Sequence, residues 1–244
     1  MLKKPLAPSA QRGLGLVELM VGITVGLIVA AGASMVAVNQ INEHRRLMLE
    51  TQVQQDLRAA ADLIQQDMRR AGFRGDAAYG VWTPASGVGS ALEVPARAAS
   101  ASPYTELTEI DSSTERTLEY RYARQYAFSA APQNNEYFGI RWDKRNKALY
   151  LKLGLKEDGS PNWQPVTDPE TVEIMQFEIN VRTQEIELKD FCDADCSGAG
   201  CPKQLIRRVE FLLRGRAKHD ENVVRTLSGT ERMRADAITG ACPA

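Results

Sequence analysis

Arg12-Gly13-Leu14-Gly15-Leu16-Val17-Glu18-Leu19-Met20 opens the apolar run that decides the fold. From Leu19 to Val38 there are 20 residues without Asp, Glu, Lys or Arg. Counted from Leu14 the run is 25 residues, enough to span ~30 Å of hydrocarbon as a helix. A carboxylate inside such a run costs at least ~2.5 kcal/mol at the centre of a bilayer. Glu18 is therefore a candidate for function, and its expected partner is a cation. An ordinary secretory peptide has its apolar region ahead of the cleavage site. Here the short basic leader (Lys3, Lys4, Arg12, ending at Gly13) precedes the run, so a cut there leaves the hydrophobic helix on the mature chain. The bland alternative is a plain N-terminal anchor carrying a chance Glu.

Leader, Gly13 and Glu18 together resemble the class III signal of type IV prepilins. That resemblance implies a dedicated prepilin peptidase, which cuts between Gly13 and Leu14 and N-methylates the new terminus at Leu14. It also puts Glu18 at the fifth mature position, in register with the family. Many major pilins carry a Pro near mature position 22; that place is taken here by Met35, so the match to a major subunit breaks there.

The leader holds three basic and no acidic side chains, and its removal takes the formal net charge from −1 to −4. The 231 residues left of 244 suffice for one long helix and one domain with its own core. A mildly acidic chain has no general electrostatic affinity for nucleic acid, and no such partner is expected. The positive-inside tendency puts the leader in the cytoplasm and everything after Val38 outside, with Arg45 and Arg46 as a weak counter-signal. The four cysteines suit the oxidising compartment which that topology supplies.

The first proline after the leader is Pro84, so one helix is expected from Leu14 to Ala71, about 87 Å long. One small domain cannot cover such a rod, and its first half must be buried by lipid or by other subunits. Gly22 and Gly26, with Gly15 and Gly32 nearby, have the spacing that lets membrane helices approach closely; the alternative is that glycines are common in such helices. Beyond the apolar run, Val53, Leu57, Ala60, Ile64, Met68 and Ala71 form one stripe at steps of three and four, with Gln54, Gln55, Asp62, Gln66 and Arg69 opposite. The stripe is expected to pack on the protein's own sheet. Gly72 and Gly75, flanking Phe73, are stop signals.

The ending Asp67-Met68-Arg69-Arg70-Ala71-Gly72-Phe73 resembles the PilW family of minor pilins and the related J-type pseudopilins of type II secretion. The likeness is specific over residues 12–75 and loose beyond.

Residues 76–114 are rich in Ala, Gly, Ser and Pro and read as a long loop, with a short element near Tyr104 to Ile110. Alternation then marks strands at Leu118–Tyr122, Phe138–Trp142, Leu149–Leu153, Met175–Val181 and Val209–Leu213. Asp143 to Asn146 reads as a turn and Glu157 to Asn162 as a loop. A helix followed by a mainly antiparallel sheet is an α+β fold, here type IV pilin-like. The expected divisions are a leader 1–13, a transmembrane and assembly helix 14–38, an amphipathic half-helix 39–75 and a periplasmic β-rich domain 76–244.

Cys192, Cys196, Cys201 and Cys242 allow three pairings. Two structural disulfides are expected, Cys201–Cys242 closing the tail and Cys192–Cys196 pinning a Gly/Asp-rich loop. Their spacings match no standard zinc finger. Asp193-Ala194-Asp195-Cys196-Ser197-Gly198 imitates the start of a calcium loop, but Gln204 stands where a bidentate Glu is needed. His44 sits on the helix just beyond the apolar run and His219 in a polar Lys-His-Asp-Glu turn, and no hydrolase, Walker or zinc-protease motif occurs. No enzyme activity, metal or cofactor is expected.

Three functions fit. The first is a minor pilin in the priming or tip complex of a type IV pilus. The second is a minor pseudopilin of a type II secretion system, and the third a ligand-binding module at a filament tip, for adhesion or DNA uptake. Glu18, Gly22 and Gly26 are the expected assembly residues. The implied partners are the prepilin peptidase, other minor and major pilins, the inner membrane and a tip adhesin.

Overall fold

A computed structural model describes residues 15–75, 102–126, 131–192, 194–240 and 242. Helix α1 runs Leu16–Arg70 and spans 55 residues. It ends as the glycine spacing requires, with Gly72 at φ +82° and Gly75 at φ +81°. That left-handed backbone is strained for any residue with a Cβ. Of the expected helix, Leu14 lies outside the described residues, as does most of the expected 76–114 loop. The chain falls into two units, divided between Met48 and Leu49.

In the second unit the expected stripe is the buried face of the helix. Val53, Leu57, Ala60, Ile64, Met68 and Ala71 are all buried, whereas Gln54, Gln55, Asp62, Gln66 and Arg69 are exposed. Each fully buried Leu, Ile or Met contributes about 1.5–3 kcal/mol, which is why this half of the helix belongs to the domain.

Two antiparallel sheets receive it. The first is a meander of β1 (Thr108–Asp111), β2 (Glu115–Arg121), β3 (Tyr137–Asp143), β4 (Ala148–Leu155) and β5 (Pro161–Pro165), hydrogen-bonded in that order. In the second, β6 (Val172–Glu187) pairs with β7 (Lys203–Ala217) along its full length. β8 (Asp220–Arg232) lies along Arg208–Ala217 of β7, and β9 (Ala237–Thr239) continues along Lys203–Leu205. One core joins the helix stripe to Leu118, Tyr120, Phe138, Ile140 and Leu149 of the first sheet and to Ile174, Phe177, Ile179, Val209, Phe211 and Leu213 of the second. The helix packs close on β7 at Gly215, where an added Cβ would sit 3.1 Å from the Leu57 side chain.

All five strands marked by alternation are present. The expected element near Tyr104 to Ile110 is β1, displaced toward its C-terminal end. The expected loop Glu157–Asn162 stops short, because β5 begins at Pro161. β5, β8 and β9 are strands that alternation did not mark. The Asp143–Asn146 turn is held by the Asp143 carboxylate, whose Oδ1 accepts from the backbone amides of Arg145 (2.9 Å) and Asn146 (3.1 Å).

Candidate functional site

The N-terminal half of α1 has a lipid-type surface. Its 18-residue window of mean hydropathy 2.2 is buried nowhere within the chain, and side chains such as Val17 (73 %) and Ile28 (72 %) stand fully open. The two hydroxyl side chains of this stretch are satisfied internally, as an apolar medium demands. Thr24 Oγ1 donates to the carbonyls of Met20 (3.0 Å) and Val21 (2.9 Å), and Ser34 Oγ to that of Ala30 (2.8 Å).

Glu18 falls in the first turn of the helix, next to unpaired amides and the positive end of the macrodipole, which favour a carboxylate by ~0.3–1 kcal/mol. Glu18, Gly22 and Gly26 follow at intervals of four and so share one face. At both glycines a Cβ would meet nothing within 4 Å. The face carries the Glu18 side chain at its head and bare backbone at two positions below it. Gly13 and Leu14 lie outside the described residues.

At its other end the helix is sewn into the first sheet. The Gly72 amide donates to the Arg121 carbonyl (2.8 Å) and the Ala123 amide to the Phe73 carbonyl (2.7 Å). Gly72 is required for packing as well as for φ, since a Cβ there would lie 3.0 Å from that of Ala235. Asp67, in the last turn, is buried and accepts a 2.6 Å hydrogen bond from the Tyr120 hydroxyl. Burial raises its pKa and the Tyr120 bond partly opposes that shift. The Asp and Gly of the sequence motif thus anchor the domain to its helix.

A second buried carboxylate, Glu173 on β6, ties the sheets together. It accepts from Arg216 Nε (2.7 Å) on β7, Lys147 Nζ (3.1 Å) in the β3–β4 turn and Lys218 Nζ (3.2 Å) in the β7–β8 turn. These cations, Arg216 foremost, hold its pKa down to about 2. Nothing in the local sequence distinguishes Glu173 from a surface glutamate; three positive partners from three segments meet only in the fold.

All four cysteines form disulfides, but not in the expected pairs. Cys192 joins Cys242 (Cα–Cα 5.4 Å) and Cys196 joins Cys201 (5.8 Å). β9 carries the tail back beside the start of β7, where Gly240 lies against the Cys201 backbone. Cys192, ending a short 3-10 turn after β6, is the sulfur within reach of Cys242. Cys196 and Cys201 close their own tight loop through Gly198 at φ +105°. Asp193 of the imitation calcium loop lies outside the described residues, and among those described no three His, Cys, Asp or Glu side chains cluster to hold a metal.

An exposed apolar N-terminal helix joined to an antiparallel α+β domain is the architecture of a type IV pilin-like subunit. Residues 8–34 match the prokaryotic N-terminal methylation motif. Residues 46–233 match the family of prepilin peptidase-dependent protein B, and the chain belongs to that family. It is thus a membrane-anchored subunit of pilin or pseudopilin type, processed by prepilin peptidase and partnered by pilin-type subunits. No curated protein and no solved structure matches the chain.

Proposed function

We propose that the protein is a minor pilin of the PilW kind, a structural subunit that helps prime or cap a type IV pilus and catalyses no reaction. The peptidase removes residues 1–13 and methylates Leu14. Residues 14–38 then hold the protein in the inner membrane with residues 76–244 in the periplasm, until extraction into a filament exchanges lipid contacts for contacts with neighbouring helices. The observation that carries this reading is the shared face of Glu18, Gly22 and Gly26 on the half of the helix whose apolar window is buried nowhere within its own chain. In an assembly, Glu18 pairs with the methylated amine of a neighbouring Leu14 and sets the axial register, while the glycines allow contact. The absence of Pro at Met35 sets the chain apart from major subunits.

Co-purification of the tagged protein from its native membrane, followed by mass spectrometry of the partners, tests the assignment. Recovery with pilus minor and major pilins supports it. Recovery with type II secretion pseudopilins would move the subunit, unchanged in its physics, to that machine.

A further inference from the structure

β6 is the outermost strand of the second sheet, and its two halves meet different surroundings. Along the first half the first sheet closes its outer edge. The Ile174 amide donates to the Lys147 carbonyl (2.7 Å), the Ile174 carbonyl accepts from Trp142 Nε1 (3.1 Å), and the Ile179 carbonyl accepts from Arg116 Nη2 (2.7 Å). Ile179 therefore turns its main-chain groups away from β7. The register with β7 is unbroken from Gln176 to Glu187, and main-chain direction alternates along an antiparallel strand. Val181, Thr183, Glu185 and Glu187 accordingly face outward as well. Among the described residues no strand lies on that side. Here the ribbon has also left the core, since Arg182 to Glu187 are all exposed. Burial does little to hold it; pairing with β7 does, together with the Cys192–Cys242 bridge that ties the end of β6 to the tail beyond β9.

Open edges invite further pairing, and proteins guard against it. This chain does so elsewhere. β1 is only four residues long, β5 carries Pro161, Pro165 and a break in register, and β8 is bonded to α1 through Arg225–Glu50 and Glu231–Arg69. The far half of β6 has neither proline nor bulge. The charges that would repel an incoming strand are cancelled within the ribbon, Arg182 by Glu210 (3.4 Å), Glu185 by Lys203 (2.7 Å) and Glu187 by Lys189 (3.0 Å). Ile186, and Phe191 at the tip, add exposed apolar surface. A neutral, braced edge of about 23 Å is a template for main-chain recognition.

We propose that Val181–Glu187 receives an added β-strand from a neighbouring pilin-type subunit, a neutral extended segment of about seven residues. The partner class is the one implied by the chain's family, so the proposal rests on the assembly reading above and adds a contact independent of the helix. The outward amides and carbonyls of Val181, Thr183, Glu185 and Glu187 supply the hydrogen bonds. Because the edge is already fixed, little ordering cost falls on this side of the contact. An apolar partner side chain opposite Ile186 sets the register.

The test is backbone hydrogen exchange, read residue by residue, of the full mature chain alone in a non-ionic detergent and in the complex purified from its native membrane. The amides of Val181, Thr183, Glu185 and Glu187 should exchange about 10-fold more slowly or less in the complex. Those of Arg182, Gln184 and Ile186, already paired with β7, should barely change. Thr183→Pro deletes one outward amide without touching the β7 ladder, at an edge position where proline is accepted. It should keep the wild-type melting temperature yet lower the recovery of co-purifying pilin-type subunits about 10-fold. Unchanged exchange of the four amides in a complex that contains pilin-type subunits overturns the proposal, as does undiminished recovery with Thr183→Pro. Protection that appears in the chain alone as its concentration rises also overturns it, and assigns the edge to a second copy. A native complex without any pilin-type subunit overturns the assembly reading itself, and this proposal with it.

Discussion

The Tyr120 hydroxyl of β2 donates to Asp67 Oδ2 of the last turn of α1 across 2.6 Å, with both groups buried. Burial raises the Asp67 pKa, so its ionised form is disfavoured in the folded state. The stability tied to this group is present below the ordinary carboxylate pKa and diminishes as pH rises through the raised value. Asp67→Asn keeps an oxygen acceptor and discards the charge, and should leave the melting temperature at neutral pH unchanged or slightly higher. Asp67→Ala leaves the Tyr120 hydroxyl unsatisfied and should cost about 1–3 kcal/mol. Equal losses for Asn and Ala in thermal denaturation would contradict this division.

Glu173 has the opposite sign. Its pKa is depressed from 4.5 to about 2 by Arg216, Lys147 and Lys218, so the stabilisation is full above pH 4.5 and is lost as pH falls towards 2. Lys147 and Lys218 are more than a third exposed, which discounts the effect to on the order of 2 kcal/mol. Glu173→Gln should destabilise the domain at pH 7 and flatten the acid limb of its stability curve. A Gln variant with the wild-type limb would locate the titration elsewhere.

The two disulfides should contribute unequally. They span 50 and 5 residues, for which chain entropy predicts about 4 and about 2 kcal/mol. Cys242→Ser should therefore lower stability more than Cys196→Ser. Peptide mapping without reduction should find Cys192 with Cys242 and Cys196 with Cys201. A Cys201–Cys242 peptide would restore the pairing expected from sequence.

Much of the fold was legible because the residues that make it are periodic. The helix stripe from Val53 to Ala71 follows a period near 3.6, and β2, β3, β6 and β7 alternate inward Leu, Ile, Phe and Val with polar neighbours, whereas β4 shows the alternation in sequence but buries Leu149 and Lys152 and leaves Leu153 exposed. β8 escaped because, of its 13 residues, Val223 alone is buried; a polar strand leaves no alternation to read. β5 escaped because it is short and bounded by Pro161 and Pro165, residues that argue against a strand except at an edge. The disulfide pairing was out of reach because it depends on where β9 lays the tail. Asp67 stood out in the sequence only within the helix-ending motif, and only its partner on a strand 53 residues away shows that it is buried.

Glu18→Gln preserves shape while removing charge. It should leave membrane insertion and peptidase cleavage intact but reduce incorporation into filaments, scored by immunoblot of sheared pili against the cell-bound pool. Gly22→Leu, which fills a position where a Cβ meets nothing in the isolated chain, should reduce incorporation by a steric route. Wild-type incorporation of both Glu18→Gln and Glu18→Ala would end the pairing account.

Everything proposed for the N-terminal helix depends on how the chain is processed. The direct measurement is the intact mass and N-terminal peptide of the protein purified from its own membrane. The account predicts a chain that lacks residues 1–13 and begins at N-methylated Leu14. A chain that retains Met1, or one that starts beyond Val38 without the apolar helix, would contradict it.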